Sequence, residues 1–169
     1  MRTPYGLITL YLAAIVLANL SVAQFGPTVA VVNAFIFIGL DLTARDKLHE
    51  AWVGMLLWPK MLGLIATGSI LSWLLNANAG PIALASFVAF FLSGLVDALV
   101  YSLLHSKAYL VKVNGSNLVS AAVDSLVFPA LAFGWPLLWG IVLGQFVAKV
   151  AGGFVWSIVL AGWKRAKMA

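Results

Sequence analysis

Six apolar stretches follow one another along the chain, and short polar, glycine- or proline-containing segments separate them. A helix needs about 20 apolar residues, with a range of about 17–25, to cross the hydrocarbon core of a bilayer. The pattern therefore predicts six transmembrane helices, the second and fifth of them short, at about residues 5–24, 27–40, 51–75, 81–104, 117–133 and 135–163. We predict an all-α, polytopic membrane protein whose single domain spans residues 1–169.

The composition agrees with this pattern, because 63% of the 169 residues are hydrophobic and only 9% are charged. Soluble domains carry far more charge on their surface. The chain has no cysteine, so it has neither a disulfide framework nor thiol chemistry. The sequence contains no nucleophile elbow, phosphate-binding loop or zinc-protease motif. We therefore expect no enzyme and no cofactor.

The basic residues are distributed unevenly between the two ends of the predicted helices. Cytoplasmic loops of membrane proteins carry an excess of Lys and Arg. Eight cations fall on one side, namely Arg2, Arg45, Lys47, Lys107, Lys112, Lys164, Arg165 and Lys167. This predicts a multi-pass protein of the inner cell membrane with both termini in the cytoplasm. A membrane role also explains the net charge of +5 better than nucleic-acid binding does.

Four charged residues lie inside the predicted spans: Lys60, Asp97, Asp124 and Lys149. A charge at the bilayer centre costs roughly 2.5–3.5 kcal/mol on insertion scales. We therefore expect these charges to pair or to face a water-filled cavity. Lys149 is predicted to pair with Asp124 or with Asp97, whereas Lys60 also fits a position near the interface.

Polar and aromatic residues recur at spacings of three, four and seven around these charges, which places them on shared helix faces. The faces predict one substrate-binding cavity, formed by Asn19, Asn33, Phe37, Asp97, Asn117, Ser120, Asp124, Phe128, Gln145, Lys149 and Trp156. Simpler interpretations stay open for some members. Asn19 and Asn33 are equally suited to joining helices by hydrogen bonds, and the aromatic residues to packing.

The segment DLTARDKLHE, residues 41–50, is a separate polar signal after the second helix. It fits a solvated amphipathic extension of that helix, and it also fits a gate at the cytoplasmic mouth. Asp46, His49 and Glu50 could serve as metal ligands, but no second cluster completes a site, so we expect no metal.

The fifth stretch reads SNLVSAAVDSLVFPALAFG. It resembles the S-x-x-x-D-S-x-x-F-x-x-x-A-F signature of the queuosine-precursor transporter family, also called the vitamin-uptake-like family. The matching residues are Ser120, Asp124, Ser125, Phe128, Ala132 and Phe133, with Asn117 upstream.

Other parts of the chain extend this resemblance. Lys149 occupies the place of a lysine in the last helix of that family, and Asn19 resembles an asparagine of its first helix. GLDLTARD resembles the family's G-D-x-x-T-E turn, with the acid displaced to Asp41 and Ala44 in place of the glutamate. The short chain is similar to phage-associated members.

The resemblance implies a six-helix importer of 7-cyano-7-deazaguanine and related queuosine precursors, similar in fold to the substrate-binding subunits of ECF vitamin transporters. An ionised carboxylate suits such a solute, because it can accept the hydrogen bonds of a guanine-like edge while aromatic walls contact the ring. The expected partners are this small molecule and membrane lipid, and a homodimer is left open.

Two other classes of function also fit the sequence. One is a binding subunit for another vitamin-like solute that needs an energising partner. The other is a non-transport membrane protein whose ion pairs are structural. The energy source, whether none, protons or a partner, is left open as well.

Overall fold

The computed structural model describes residues 5–52 and 57–166, and these form six long helical segments. We label them α1 (Tyr5–Phe25), α2 (residues 26–51), α3 (Leu57–Leu75), α4 (Gly80–Leu103), α5 (Tyr109–Phe133) and α6 (Trp139–Ala166). A short 3₁₀ turn, Ala77–Ala79, joins α3 to α4.

The junction between α1 and α2 is made by a glycine and a proline. Gly26 has a φ of 73°, in a region that favours glycine, and it ends α1. Pro27 follows in the first turn of the next helix, where its missing N–H costs no hydrogen bond. α2 is not uniform, because a π-type turn at Ala34–Ile38 interrupts its α-helical geometry. Such turns often accompany functional sites.

The six helices pack in a closed ring. Each contacts two principal neighbours, in the circular order α1, α3, α4, α5, α6 and α2. Small residues allow the closest approach, between α2 and α6, where a Cβ on Gly39 would lie 2.6 Å from the carbonyl carbon of Gly152. The Thr43 hydroxyl adds a hydrogen bond of 3.2 Å to the Gly153 carbonyl. These glycines therefore serve helix packing.

The outer surface of the ring is apolar. Leu75, Leu143 and Phe154 are 66%, 61% and 69% exposed. Among the described residues, four stretches are long and apolar enough to span a membrane: Tyr5–Leu48, Ala77–Leu103, Asn114–Phe133 and Trp139–Leu160. The first is 44 residues long and contains both α1 and most of α2. The prediction of an all-α, polytopic membrane protein is confirmed.

Several predicted helix limits were wrong. α2 continues to Ala51 and α5 begins at Tyr109, so neither is short. Helix continues through both polar segments, neither of which contains a proline, and in α2 the side chains of Asp41 and Arg45 are buried against the other helices. Ala51 ends α2 rather than beginning the third helix, and α6 begins at Trp139, later than predicted. Gly134, with a φ of 75°, and Pro136 delay the start of α6. Residues 53–56, within the predicted third helix, lie outside the described part of the chain.

Candidate functional site

A buried ion pair lies between α5 and α6. The Lys149 ammonium is 2.6 Å from a carboxylate oxygen of Asp124, and both side chains are less than one-tenth exposed. Lys149 also donates to the Ser125 hydroxyl and to the Gln145 side-chain carbonyl, each at 3.1 Å. These contacts give an acceptor to each of its three N–H groups. The predicted pairing of Lys149 is confirmed, and Asp124 is the partner.

The ion pair borders a small cavity at the centre of the ring. Five of the six helices line it, through Ala18, Asn19, Val22, Ala30, Asn33, Ile38, Ser86, Phe90, Asp124, Phe128, Gln145 and Lys149. The Gln145 side-chain nitrogen is buried here and has no hydrogen-bond partner. The cavity therefore combines a carboxylate acceptor, a spare amide donor and two aromatic walls, which is the lining expected for a polar, ring-shaped solute.

The cavity is too small for a purine-sized solute in this conformation. Its volume is about 20 Å³, which is enough for about one water molecule. Sites for drug-sized ligands enclose about 300–1,000 Å³. A solute of purine size therefore requires the helices around the cavity to move apart.

The two asparagines at the cavity also hold the helices together. Asn33 donates to the Ala18 carbonyl at 3.2 Å and to the Ser21 hydroxyl at 2.7 Å, which ties α2 to α1. Asn19 donates to the Ser72 hydroxyl at 3.1 Å, which ties α1 to α3. The interpretation of both residues as helix-joining groups is thus confirmed, and both also line the cavity.

Five residues of the predicted cavity lie elsewhere. The Asn117 amide donates to Asp46 at 3.2 Å in a groove of about 490 Å³ between α2, α5 and α6. Ser120 donates to the Asn117 carbonyl on the same face of α5. Phe37 and Trp156 pack against the apolar cluster formed by Ala14, Leu40 and Leu160, and Asp97 lines a second cavity. Phe128 lines the central cavity and Trp156 does not, so these two aromatic residues do not share one cavity in this conformation.

Sequence reasoning missed six lining residues, among them Ser86 and Phe90 of α4. Helix periodicity places Ser93 and Asp97 on one stripe of this helix, and Phe90 lies on the same stripe one turn earlier. Extending that stripe by two turns would have found both residues.

The first part of the segment 41–50 is buried rather than solvated. It belongs to α2, and Asp41 and Arg45 are only 1% and 6% exposed. Helix periodicity turns their side chains towards the other helices, where they line the second cavity with Tyr11 and Asp97. Arg45 is therefore not the loop cation that the charge pattern suggested.

Two further charged groups differ from the sequence interpretation. Lys60 is exposed in the first turn of α3, and its ammonium lies 5.3 Å from the centroid of a Trp52 ring. It is therefore not a buried charge. The described residues contain no group of three metal-ligating side chains. The side chains of His49 and Glu50, considered with Asp46, lie outside the described part of the structure.

A family model described as "Putative vitamin uptake transporter" matches residues 8–162, which is nearly the whole chain. The match covers most of each of the six helices and all residues that line the two cavities described above. No curated protein and no solved structure matches the chain.

Proposed function

Because the chain belongs to the vitamin uptake transporter family, we propose that it imports 7-cyano-7-deazaguanine or a closely related 7-deazaguanine and carries out no chemistry on it. One observation above all supports this substrate class. A buried carboxylate, Asp124, borders the central cavity beside an amide nitrogen of Gln145 that has no partner.

The two groups complement a guanine-like edge. Such an edge presents a ring N–H and an exocyclic NH₂ as donors, next to a carbonyl acceptor. Asp124 accepts from the donors, and the Gln145 amide donates to the carbonyl. Phe90 and Phe128 contact the ring once the cavity opens. Asn19 and Asn33 contribute by holding the helices around the cavity in position.

Lys149 has a second role in this proposal, because it lines both the central cavity and the groove between α2, α5 and α6. The ion pair thus lies between a cavity of about 20 Å³ and a groove of about 490 Å³. Breaking it would join the two compartments into a route for the solute. Asn117, which the sequence placed in the cavity, lies at the groove end of this route.

Selectivity for the solute tests the proposal. Purified protein in liposomes should take up labelled 7-cyano-7-deazaguanine, and unlabelled compound should compete far better than adenine. Adenine cannot offer the paired donors, and a buried acceptor left unpaired costs about 1–3 kcal/mol. We expect a difference of about 5- to 150-fold in competing concentration.

The results of the uptake, competition and binding measurements distinguish the candidate functions from one another. Equal competition by adenine would refute edge recognition by Asp124. Uptake that appears only with an added membrane partner would favour a partner-driven binding subunit. Saturable binding of no solute at all would favour a structural membrane protein.

For the orientation, we propose that both termini face the cytoplasm. Lys47, Lys60, Lys107 and Lys112 all lie near the α2–α3 and α4–α5 junctions, which agrees with the positive-inside pattern. In a bacterial host the membrane would be the inner one. Arg2 and Lys167 lie outside the described residues.

Single cysteines report this orientation, since the native chain has none. Cysteines replacing Gln24, Asn78 or Trp135 should react in intact cells with an impermeant thiol reagent, and one replacing Lys107 should not. All four positions are exposed, so a cysteine there is accessible to the reagent. Asn78 is used instead of the neighbouring Ala79 because Ala79 is buried. Labelling of Lys107→Cys alone would reverse the topology.

A further inference from the structure

The second cavity contains buried polar groups that the binding site does not use. It has a volume of about 20 Å³, and its polar lining consists of Tyr11, Asp41, Arg45 and Asp97. Both carboxylate oxygens of Asp41 are buried without a hydrogen-bond partner, as are Nε and Nη2 of Arg45 and one oxygen of Asp97. Buried polar atoms without partners are rare in proteins and call for an explanation.

The charges of this cavity do not balance when all groups are ionised. Two carboxylates and one guanidinium leave one negative charge in the apolar part of the protein. A single added proton removes it. Asp41 is the best acceptor, because it is 1% exposed and neither of its oxygens is satisfied, whereas Asp97 is only partly buried.

A proton fits this cavity better than a metal cation does. A cation such as Na⁺ or Ca²⁺ needs several oxygen ligands around it, and the cavity also contains the Arg45 guanidinium, which would repel it. A protonated carboxyl, in contrast, needs no counter-charge and gains a donor. The volume leaves room for about one water molecule to carry that proton.

The second cavity is coupled to the central one in three ways. Phe90 lines both. α2 carries Asn33 on the central cavity and Asp41 on the second one, with the π-type turn at Ala34–Ile38 between them. Asp41 also interacts electrostatically with both Asp124 and Lys149. A change of charge on Asp41 therefore acts on the ion pair at the central cavity.

Among the side chains that the structure describes, the ionisable groups around Asp41 come from α1, α2, α4, α5 and α6. Arg45 and Asp46 belong to its own helix, and the other elements contribute Tyr11, Asp97, Asp124 and Lys149. From α3 the cavity receives only Trp58, Met61, Leu62 and Ile65, none of which titrates.

We propose that the cluster Tyr11–Asp41–Arg45–Asp97 is a proton site, and that Asp41 takes up and releases the proton that drives solute import. This inference rests on the proposed transport function. It makes the protein a proton-coupled importer that needs no energising partner.

The test uses two measurements on the purified protein in liposomes. Counterflow measures exchange of labelled for unlabelled 7-cyano-7-deazaguanine at equal pH on both sides, and it needs no coupling. Accumulation measures the plateau ratio of inside to outside label under a pH gradient, acidic outside. With one proton per solute, a gradient of one pH unit supports a ratio of about tenfold.

The native protein should show both activities. Asp41→Asn, which copies the neutral form of the carboxyl, should keep counterflow but reach a plateau ratio near one. Lys107→Gln is the control for removing a single charge, since Lys107 is exposed and lines neither cavity nor the groove. It should accumulate solute as the native protein does.

The outcomes separate this inference from the proposed function. Absence of counterflow in the native protein would refute transport itself. Counterflow without gradient-driven accumulation, or accumulation driven by a sodium gradient at equal pH, would refute the proton site and leave transport standing. Full accumulation by Asp41→Asn, or its loss of counterflow, would remove Asp41 from the coupling role.

Discussion

Lys149→Ala should destabilise the folded protein by about 3–5 kcal/mol, because it leaves the Asp124 carboxylate buried without its counter-charge. The structure makes this loss large. The ammonium is almost fully buried, lies 2.6 Å from the carboxylate and holds Ser125 and Gln145 as well. All three of its partners lose a donor at once.

A double-mutant cycle isolates the ion pair from the rest of this loss. Asp124→Asn with Lys149→Met removes both charges and replaces the lysine stem by an apolar chain of similar length. The double variant should be more stable than the single variant Lys149→Met, since no charge remains stranded. Thermal unfolding of the detergent-purified proteins, followed by the amount that stays monodisperse, measures the four corners of the cycle.

Lys60→Ala serves as the matched control for removing a lysine. Lys60 is exposed and contacts only the Trp52 ring among the interactions described. Its loss should change stability by no more than about 0.5 kcal/mol, as is usual for surface positions. Simple additivity of the two charge removals in the cycle would contradict a coupled pair.

The parts of the site that the sequence predicted correctly follow from the free-energy cost of an unpaired charge in an apolar environment. Asp124 and Lys149 lie in apolar stretches, where an unpaired charge is expensive, so a pairing followed from composition alone. Helix periodicity then placed Gln145 on the Lys149 face, one turn away, where it is found. The all-α fold followed from the length of the apolar stretches in the same way.

Depth along a helix could not be predicted in this manner. Asn117 and Asp124 share a face of α5, but seven residues separate them, which is about 10 Å along the axis. A shared face therefore did not mean a shared cavity. Trp156 likewise lies seven residues from Lys149 on α6, and it packs against the apolar cluster of Ala14, Leu40 and Leu160 rather than lining the central cavity.

The polar end of α2 shows a second limit of prediction from sequence periodicity. Asp41 and Arg45 are four residues apart in a segment as polar as a solvated loop. The periodicity of a polar face is the same whether water or other helices lie opposite. Only the ring arrangement, which encloses this face between α1, α3 and α4, shows that the charges are buried.

Asp124→Asn should abolish detectable binding of 7-cyano-7-deazaguanine. A hydrogen bond to a charged group contributes about 1.5–3 kcal/mol, which is about 10- to 150-fold in affinity for each donor on the solute edge. The amide keeps the shape of the side chain but turns one acceptor into a donor, which then faces the donors of the solute. Equilibrium binding of labelled solute to the purified protein measures the loss.

Asn117→Ala is the control that separates the two descriptions of the site. The sequence placed Asn117 against the solute, whereas the structure places it in the groove, where its amide contacts Asp46. If the central cavity binds the solute, Asn117→Ala should keep its affinity within about twofold, since a lost hydrogen bond to the solute would cost more than that. Asp124→Asn should lose binding although its new amide oxygen still offers Lys149 an acceptor and the protein stays monodisperse. Undiminished affinity in Asp124→Asn, or an equal loss in Asn117→Ala, would move the binding site from the central cavity to the groove.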